Sequence, residues 1–244
     1  MYHFFVEPHQ IGAEEIRIEG ADVNHIRNVL RMKPGEEILI SSREGGDYFC
    51  RVEELEPEYV SAKILEEWEN KELPARIHLF QGLPKGDKME LIIQKAVELG
   101  VSRIVPLAME HSVVRYDGEK AAKKCQRWQK IAESAAKQSK RDIIPQIAEV
   151  SAIDKLMAEC DCTTKIIAYE CEDRQGLKQV LQSNLNTDSI LIIIGPEGGI
   201  SDAEIESFTN AGAEACVLGS NILRASTAGP VALSLLARAL GRFI

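Results

Sequence analysis

This 244-residue sequence predicts an α/β fold built on a parallel sheet and preceded by a small β-barrel. Three observations carry the prediction. From residue 76 onward, β-rich and helical stretches alternate, the pattern of strands joined by crossover helices. Ile190 to Ile194 are five consecutive aliphatic residues closed by Gly195-Pro196, which reads as a strand buried on both faces. Residues 1–72 instead hold several short β-rich stretches with Pro-Gly at 34–35 and Gly-Gly at 45–46 as turns, the layout of a small barrel.

Taken in order, the first 72 residues give strands at Tyr2–Val6, Glu14–Ile18, Glu37–Ser41, Tyr48–Glu53 and Tyr59–Leu65. One helix, Ala21 to Arg31, is expected among them, capped near Asp22, with Val23, Ile26 and Leu30 facing inward. Asn24, Arg27, Asn28 and Arg31 fall at i, i+3, i+4 and i+7 and so share its outer face. Such a stripe is commonly a solvated face, but two arginines beside two amides also suit phosphates and base edges. Charged residues from Glu66 to Glu72, closed by Leu73-Pro74, mark a boundary between domains at 1–72 and 73–244. Strands follow at 76–80, 103–107, 146–148, 165–169, 189–194 and 213–218, interleaved with helices at 88–99, 119–139, 152–160, 176–182, 202–210 and 227–240.

Composition bounds the function. With 45% hydrophobic and 27% charged residues the chain is an ordinary soluble globular protein. No apolar run approaches a membrane span and Met1-Tyr2-His3-Phe4-Phe5 lacks the basic start of a signal peptide, so no membrane partner is expected and the compartment is cytoplasmic. Six scattered cysteines point to reduced thiols. Cys160-Asp161-Cys162 with Cys171 has no zinc spacing, so no metal is expected. The net charge of −9 resides entirely in residues 1–72, with 8 Lys and Arg against 17 Asp and Glu; the remainder balances at 21 each. Within that neutral part, Lys120 to Arg141 carries eight basic residues and a single Glu133, a local patch fit for phosphate.

The candidate site lies at two loops. After the Ile190–Ile194 strand comes Gly195-Pro196-Glu197-Gly198-Gly199-Ile200, and Ser201-Asp202-Ala203-Glu204 then reads as a capping box. About twenty residues on, Leu218-Gly219-Ser220-Asn221-Ile222-Leu223-Arg224-Ala225-Ser226-Thr227-Ala228 again runs from an apolar strand through small residues into a helix. Bare backbone at the carboxyl edge of a parallel sheet is where open α/β folds bind ligands. The first loop alone would also serve as a plain connection. It is neither a dinucleotide fingerprint nor a phosphate loop.

Together these stretches resemble the signature of the SPOUT class of S-adenosylmethionine-dependent RNA methyltransferases, and most nearly the RsmE family, which methylates N3 of a uridine in 16S ribosomal RNA. His25–Gly35, Gln81–Arg115 and Ala135–Arg141 resemble that family too, so the likeness spans nearly the whole chain. The resemblance implies a trefoil-knotted methyltransferase domain preceded by a PUA-like RNA-binding barrel. It implies a homodimer acting on the small ribosomal subunit, and a cofactor, S-adenosyl-L-methionine, bent among three loops. Carried over to this chain, those loops are Ala168-Tyr169-Glu170, Gly195 to Gly199, and Leu218 to Ala228, with Leu218, Gly219, Ile222, Leu223, Arg224, Ser226, Thr227 and Ala228 as contacts. An RNA-binding or assembly factor with a degenerate site, and a SPOUT enzyme acting on tRNA, are the alternatives.

Methylating uridine N3 requires loss of its proton and stabilisation of charge spread onto O2 and O4. Arg224, the only cation between Leu218 and Ala228, is a permanent forked donor suited to that task and is the catalytic candidate; tying loop carbonyls together is the structural alternative. The family pattern places Glu-Thr-Ala where this chain has Ser226-Thr227-Ala228. Either the glutamate is dispensable, the reading favoured here, or a neighbour such as Glu197 substitutes, or activity is impaired. RNA contacts are expected from Asn24, Arg27, Asn28 and Arg31, from Lys85, Lys88, His111 and Arg115 in loops that resemble those flanking the family's substrate cleft, and from Lys137, Gln138 and Arg141.

Overall fold

The computed structural model describes residues 1–42, 46–68, 72–116, 118–152, 160–170, 175–183 and 187–241. The expected helix at 152–160 and the metal candidate Cys171 fall largely or wholly outside them. The chain divides into two units: residues 1–72 with 136–144, and residues 73–135 with 145–244. The first unit is therefore built from two separate stretches of chain.

Its core is a five-stranded sheet of β1 (Tyr2–Val6), β2 (Glu15–Glu19), β3 (Glu37–Ser42), β4 (Asp47–Leu55) and β5 (Tyr59–Glu67), in the order β1-β3-β4-β5-β2. Strands β1 and β3 are parallel and the other pairs antiparallel. No ladder joins β1 to β2 among the described residues, so the expected barrel is an open half-barrel. Alternation decides what is buried: Ile16 and Ile18 of β2 point inward between exposed Glu15, Arg17 and Glu19.

The helix expected over 21–31 is not continuous. A four-residue α1 (Ala21–Asn24) widens into a π-turn, His25–Val29, in which the Leu30 N–H donates to the His25 carbonyl at 2.9 Å. Gly20, at φ +75°, occupies the cap and makes no side-chain cap bond, while Asp22 pairs instead with Lys137 at 2.9 Å. Arg31, at φ +55°, leaves the helical region altogether. Val23 and Ile26 nonetheless enter the core with Leu30 packed against it, because burying that apolar edge does not depend on the pitch of the outer face.

The second unit holds a six-stranded parallel sheet ordered β11-β9-β10-β6-β7-β8. Its strands are β6 (Arg76–Gly82), β7 (Arg103–Leu107), β8 (Gln146–Ile147), β9 (Thr164–Ala168), β10 (Ser189–Ile194) and β11 (Glu214–Cys216). The helices are α2 (Lys88–Glu98), α3 (Gly118–Ser139, whose last residues pack with the first unit), α4 (Leu177–Ser183), α5 (Asp202–Asn210) and α6 (Ala225–Ala239). All six residues of β10 are buried, as an unbroken aliphatic run between two covered faces requires. On one face Leu191 and Ile193 join Phe80, Ile205 and Phe208 in a core cluster. Helix α6 packs on α2, β6 and β10 through small residues, including Ala225, Ala228, Gly229 and Ala232. The central position of β10 places the loop after it at the middle of the sheet's carboxyl edge.

Candidate active site

Three strand ends meet there. Tyr169 and Glu170 follow β9, Gly195 to Gly199 follow β10, and Val217 to Arg224 lead from β11 into α6. They enclose two adjoining cavities of about 710 and 570 Å³. Ala168, Tyr169, Glu170, Ile222, Leu223 and Ala228 line both. Gly195, Pro196, Glu197, Gly198, Gly199, Arg224 and Ser226 line the larger, and Leu218 and Gly219 the smaller. Of the residues expected to hold a cofactor only Thr227 lies outside both linings. It is exposed on the first turn of α6, where its N–H donates to the Arg224 carbonyl at 2.7 Å.

The first loop is gripped from two sides. A Cβ on Gly82 would lie 2.6 Å from the Pro196 ring, and one on Gly198 would lie 2.8 Å from the His111 carbonyl oxygen, so both approaches need glycine. Helix α5 starts with the capping box foreseen at Ser201 and Glu204, and the Glu204 carboxylate also accepts the Glu110 N–H at 2.8 Å. Glu197 reaches across to the loop before α2. Its carboxylate accepts the Lys88 ammonium at 2.6 Å and the Lys85 N–H at 3.1 Å. Burial alone would raise its pKa, but the hydrogen bonds from Lys88 and Lys85 outweigh burial and hold it below the usual glutamate value. Glu197 is thus an engaged carboxylate, poorly suited to replace a missing glutamate as proton acceptor.

Arg224 caps α6 with extended backbone, its carbonyl accepting from Thr227 and Ala228. Its exposed side chain lines the larger cavity and forms no hydrogen bond or ion pair among the described residues. The alternative in which it ties loop carbonyls together therefore has no contact to support it. Ser226 is half-buried in the same lining.

The expected RNA contacts divide. Lys85, His111, Arg115 and Gln138 are exposed. Lys88 is half committed to Glu197 and, unforeseen, lines the cavity. The π-turn breaks the four-residue stripe: Asn28 donates to Asn24 at 2.7 Å, Arg27 is half-buried, and Arg31 projects from a separate bend. Lys137 pairs with Asp22. Arg141 is placed differently from its neighbours, being buried with its guanidinium against Glu72, whose carboxylate also accepts the N–H groups of Asp142 and Ile143. That arrangement makes Arg141 a tie within the first unit.

Sequence reasoning missed Ile194, Ile200 and Ala225 in the larger lining and Val217, Ser220 and Asn221 in the smaller. All sit within or one residue outside the stretches singled out. The pairing of Glu197 with Lys88, 109 positions apart, left no sequence signal.

Residues 71–237 match a family described as an RNA methyltransferase domain, and residues 18–65 an RNA methyltransferase PUA domain. The class so defined is an RNA methyltransferase. A ribosomal RNA small subunit methyltransferase E from Bacillus subtilis is 39% identical across 96% of this chain and 95% of its own length. The crystal structure of a ribosomal RNA small subunit methyltransferase E from Neisseria gonorrhoeae bound to S-adenosyl methionine superposes with a TM-score of 0.83 at 31% identity, covering 97% of this chain and 96% of that one. A structure from Legionella pneumophila, also with bound SAM, gives 0.82 at 30% identity, covering 98% and 97%. The chain belongs to the ribosomal RNA small subunit methyltransferase E family.

Proposed function

We propose that this protein transfers the methyl group of S-adenosylmethionine to N3 of a uridine in 16S ribosomal RNA. The observation that carries the reading is the joined pair of cavities with the unpaired Arg224 guanidinium on its wall. Each cavity has the size of a small-molecule site, roughly 300–1,000 Å³. The lining suits a bent, cationic donor: glycine backbone, small side chains, and the Glu170 carboxylate. The donor supplies an electrophilic methyl group on a sulfonium, so that the S–CH3 bond breaks as the N3–CH3 bond forms. The chain's own residues supply position and charge. Ala168 to Glu170 and Leu218 to Ala228 hold the donor, Gly195 to Gly199 form the floor, and Arg224 faces the uracil oxygens as N3 loses its proton.

In the same proposal the first unit binds RNA through Asn24, Arg27, Asn28, Arg31, Lys137 and Gln138. The second contributes Lys85, His111 and Arg115 together with Lys120, Lys123, Lys124, Arg127 and Lys130 of α3. The trefoil threading of the carboxy-terminal segment, the homodimer and the cytoplasmic location also belong to it, supported by family membership. A second reading, an assembly factor that binds RNA without chemistry, is favoured by Ser226 standing where the family's glutamate is expected. Mass spectrometry of ribosomal RNA from a deletion strain tests both. Loss of one N3-methyluridine from 16S RNA, restored by the wild-type gene, is expected. An unchanged modification pattern with a subunit-assembly defect would support the second reading.

A further inference from the structure

We propose that Glu197 is a positioning residue for the methyl donor, locking the glycine-rich loop to the loop before α2 through Lys85 and Lys88. The inference rests on the donor site proposed above and deepens it. Glu197 is the only side chain of Gly195–Gly199 able to accept a hydrogen bond, and it spends both carboxylate oxygens on the loop and first residue of α2, on the Lys88 ammonium at 2.6 Å and on the Lys85 N–H at 3.1 and 3.3 Å. A loop of three glycines and a proline loses much backbone entropy when ordered, and its intrinsic contacts are few. Two tight approaches already hold its ends, Gly82 against Pro196 and His111 against Gly198. Glu197 supplies the charged hold between them. Its charge is neutralised by Lys88, which lines the same cavity, so the pair sets shape there without adding net charge. The role is distinct from proton removal, because a carboxylate held as its ionised form by an ammonium and an N–H gains little by taking up a proton.

Glu197→Gln and Glu197→Ala separate the two roles. The glutamine amide oxygen can still accept the Lys85 N–H, whereas alanine loses both bonds. Calorimetric titration with S-adenosylmethionine is expected to show affinity falling about threefold in Glu197→Gln and about tenfold in Glu197→Ala, in line with charged hydrogen bonds at a partly exposed site. Lys88→Met should resemble the glutamine variant. On small ribosomal subunits the loss in Glu197→Gln should fall on the donor KM more than on kcat, with an unchanged pH profile. Donor affinity equal to wild type in all three variants would overturn the proposal. So would a Glu197→Gln enzyme as inactive as Glu197→Ala with one limb of its pH profile gone, which would make Glu197 the proton acceptor. Should Glu197→Ala fail to fold, Glu197→Gln and Lys88→Met carry the test. Wild-type protein that binds no donor would instead refute the donor site itself.

Discussion

Arg141 and Arg224 carry the same guanidinium into opposite surroundings. Arg141 is 8% exposed and bonded to Glu72, which also gathers two backbone N–H groups of the returning segment 136–144. Arg224 stands exposed on a cavity wall at the start of α6, its backbone fixed and its side chain uncommitted. One cation has exchanged water for a fixed partner and its value lies in the fold. The other keeps its donors uncommitted on the cavity wall, as the proposed stabilisation of charge during reaction requires. The contrast lies in whether a carboxylate has been brought to the guanidinium.

Substitution should divide the two cleanly. Arg224→Ala is expected to lower turnover by about 10²–10³-fold, the loss typical of one donor to a developing anion, with donor affinity within about threefold and melting temperature unchanged. Turnover surviving within a few-fold would remove Arg224 from catalysis. Arg141→Ala should act on stability, by about 2 kcal/mol in chemical denaturation, because the partly buried Glu72 carboxylate loses its cation and keeps the Asp142 and Ile143 N–H groups. A stable Arg141→Ala protein whose RNA binding has a shallower salt dependence would return Arg141 to the phosphate-contacting residues.

The first unit holds a further polar cluster that sharpens the comparison. His3 Nε2 donates to Ser41 Oγ at 2.7 Å, and Ser41 donates in turn to Asp47. Burial, with Lys137 and Lys140 nearby, lowers His3 to about 4. Burial also raises Asp47 to about 6, helped by Asp142 and Glu72 and opposed by the Ser41 hydroxyl. The signs oppose each other. The unfolded chain binds more protons at His3, so that contribution is present above pH 6.5 and is lost as pH falls through about 4. The folded chain binds more protons at Asp47, so that contribution is present below pH 3.8 and is lost as pH rises through about 6. Wild-type stability should be nearly flat between these limits as far as this pair is concerned. Asp47→Asn should unmask a decline toward acid, and His3→Gln the reverse, each on the order of 2 kcal/mol in denaturant titrations at pH 4.5 and 6. Parallel slopes in the two variants would show that the pair does not act as described.

What the sequence disclosed follows the same division. The β10 run, the glycine loop and the Ser201–Glu204 capping box are local patterns, and each appears at its expected place. The break in the α1 helix was not legible, because a π-turn leaves no mark in composition; Asn24 and Asn28 still meet side by side, while Arg31 leaves the helical path. Arg141 looked like part of a basic run because its partner Glu72 lies 69 positions away and its burial comes from packing between distant segments. The cavity lining was legible because it is made of contiguous loop residues; the Glu197 clamp was not, because it joins two loops from opposite ends of the domain.

The smallest expected effect concerns Ser226, and it tests whether Arg224 is better left alone. Ser226 is half-buried in the cavity wall, two residues from Arg224. A carboxylate there would be drawn to the guanidinium and would occupy the donors that the proposed mechanism assigns to the uracil oxygens, while adding a group that could pair with the sulfonium. These effects offset each other, and partly exposed ion pairs are worth only about 0–1 kcal/mol. Ser226→Glu should therefore change turnover by less than about threefold in either direction. Turnover raised by an order of magnitude would mean that Arg224 works best when paired, and that its lack of a partner is a deficiency of this chain instead of the basis of its activity.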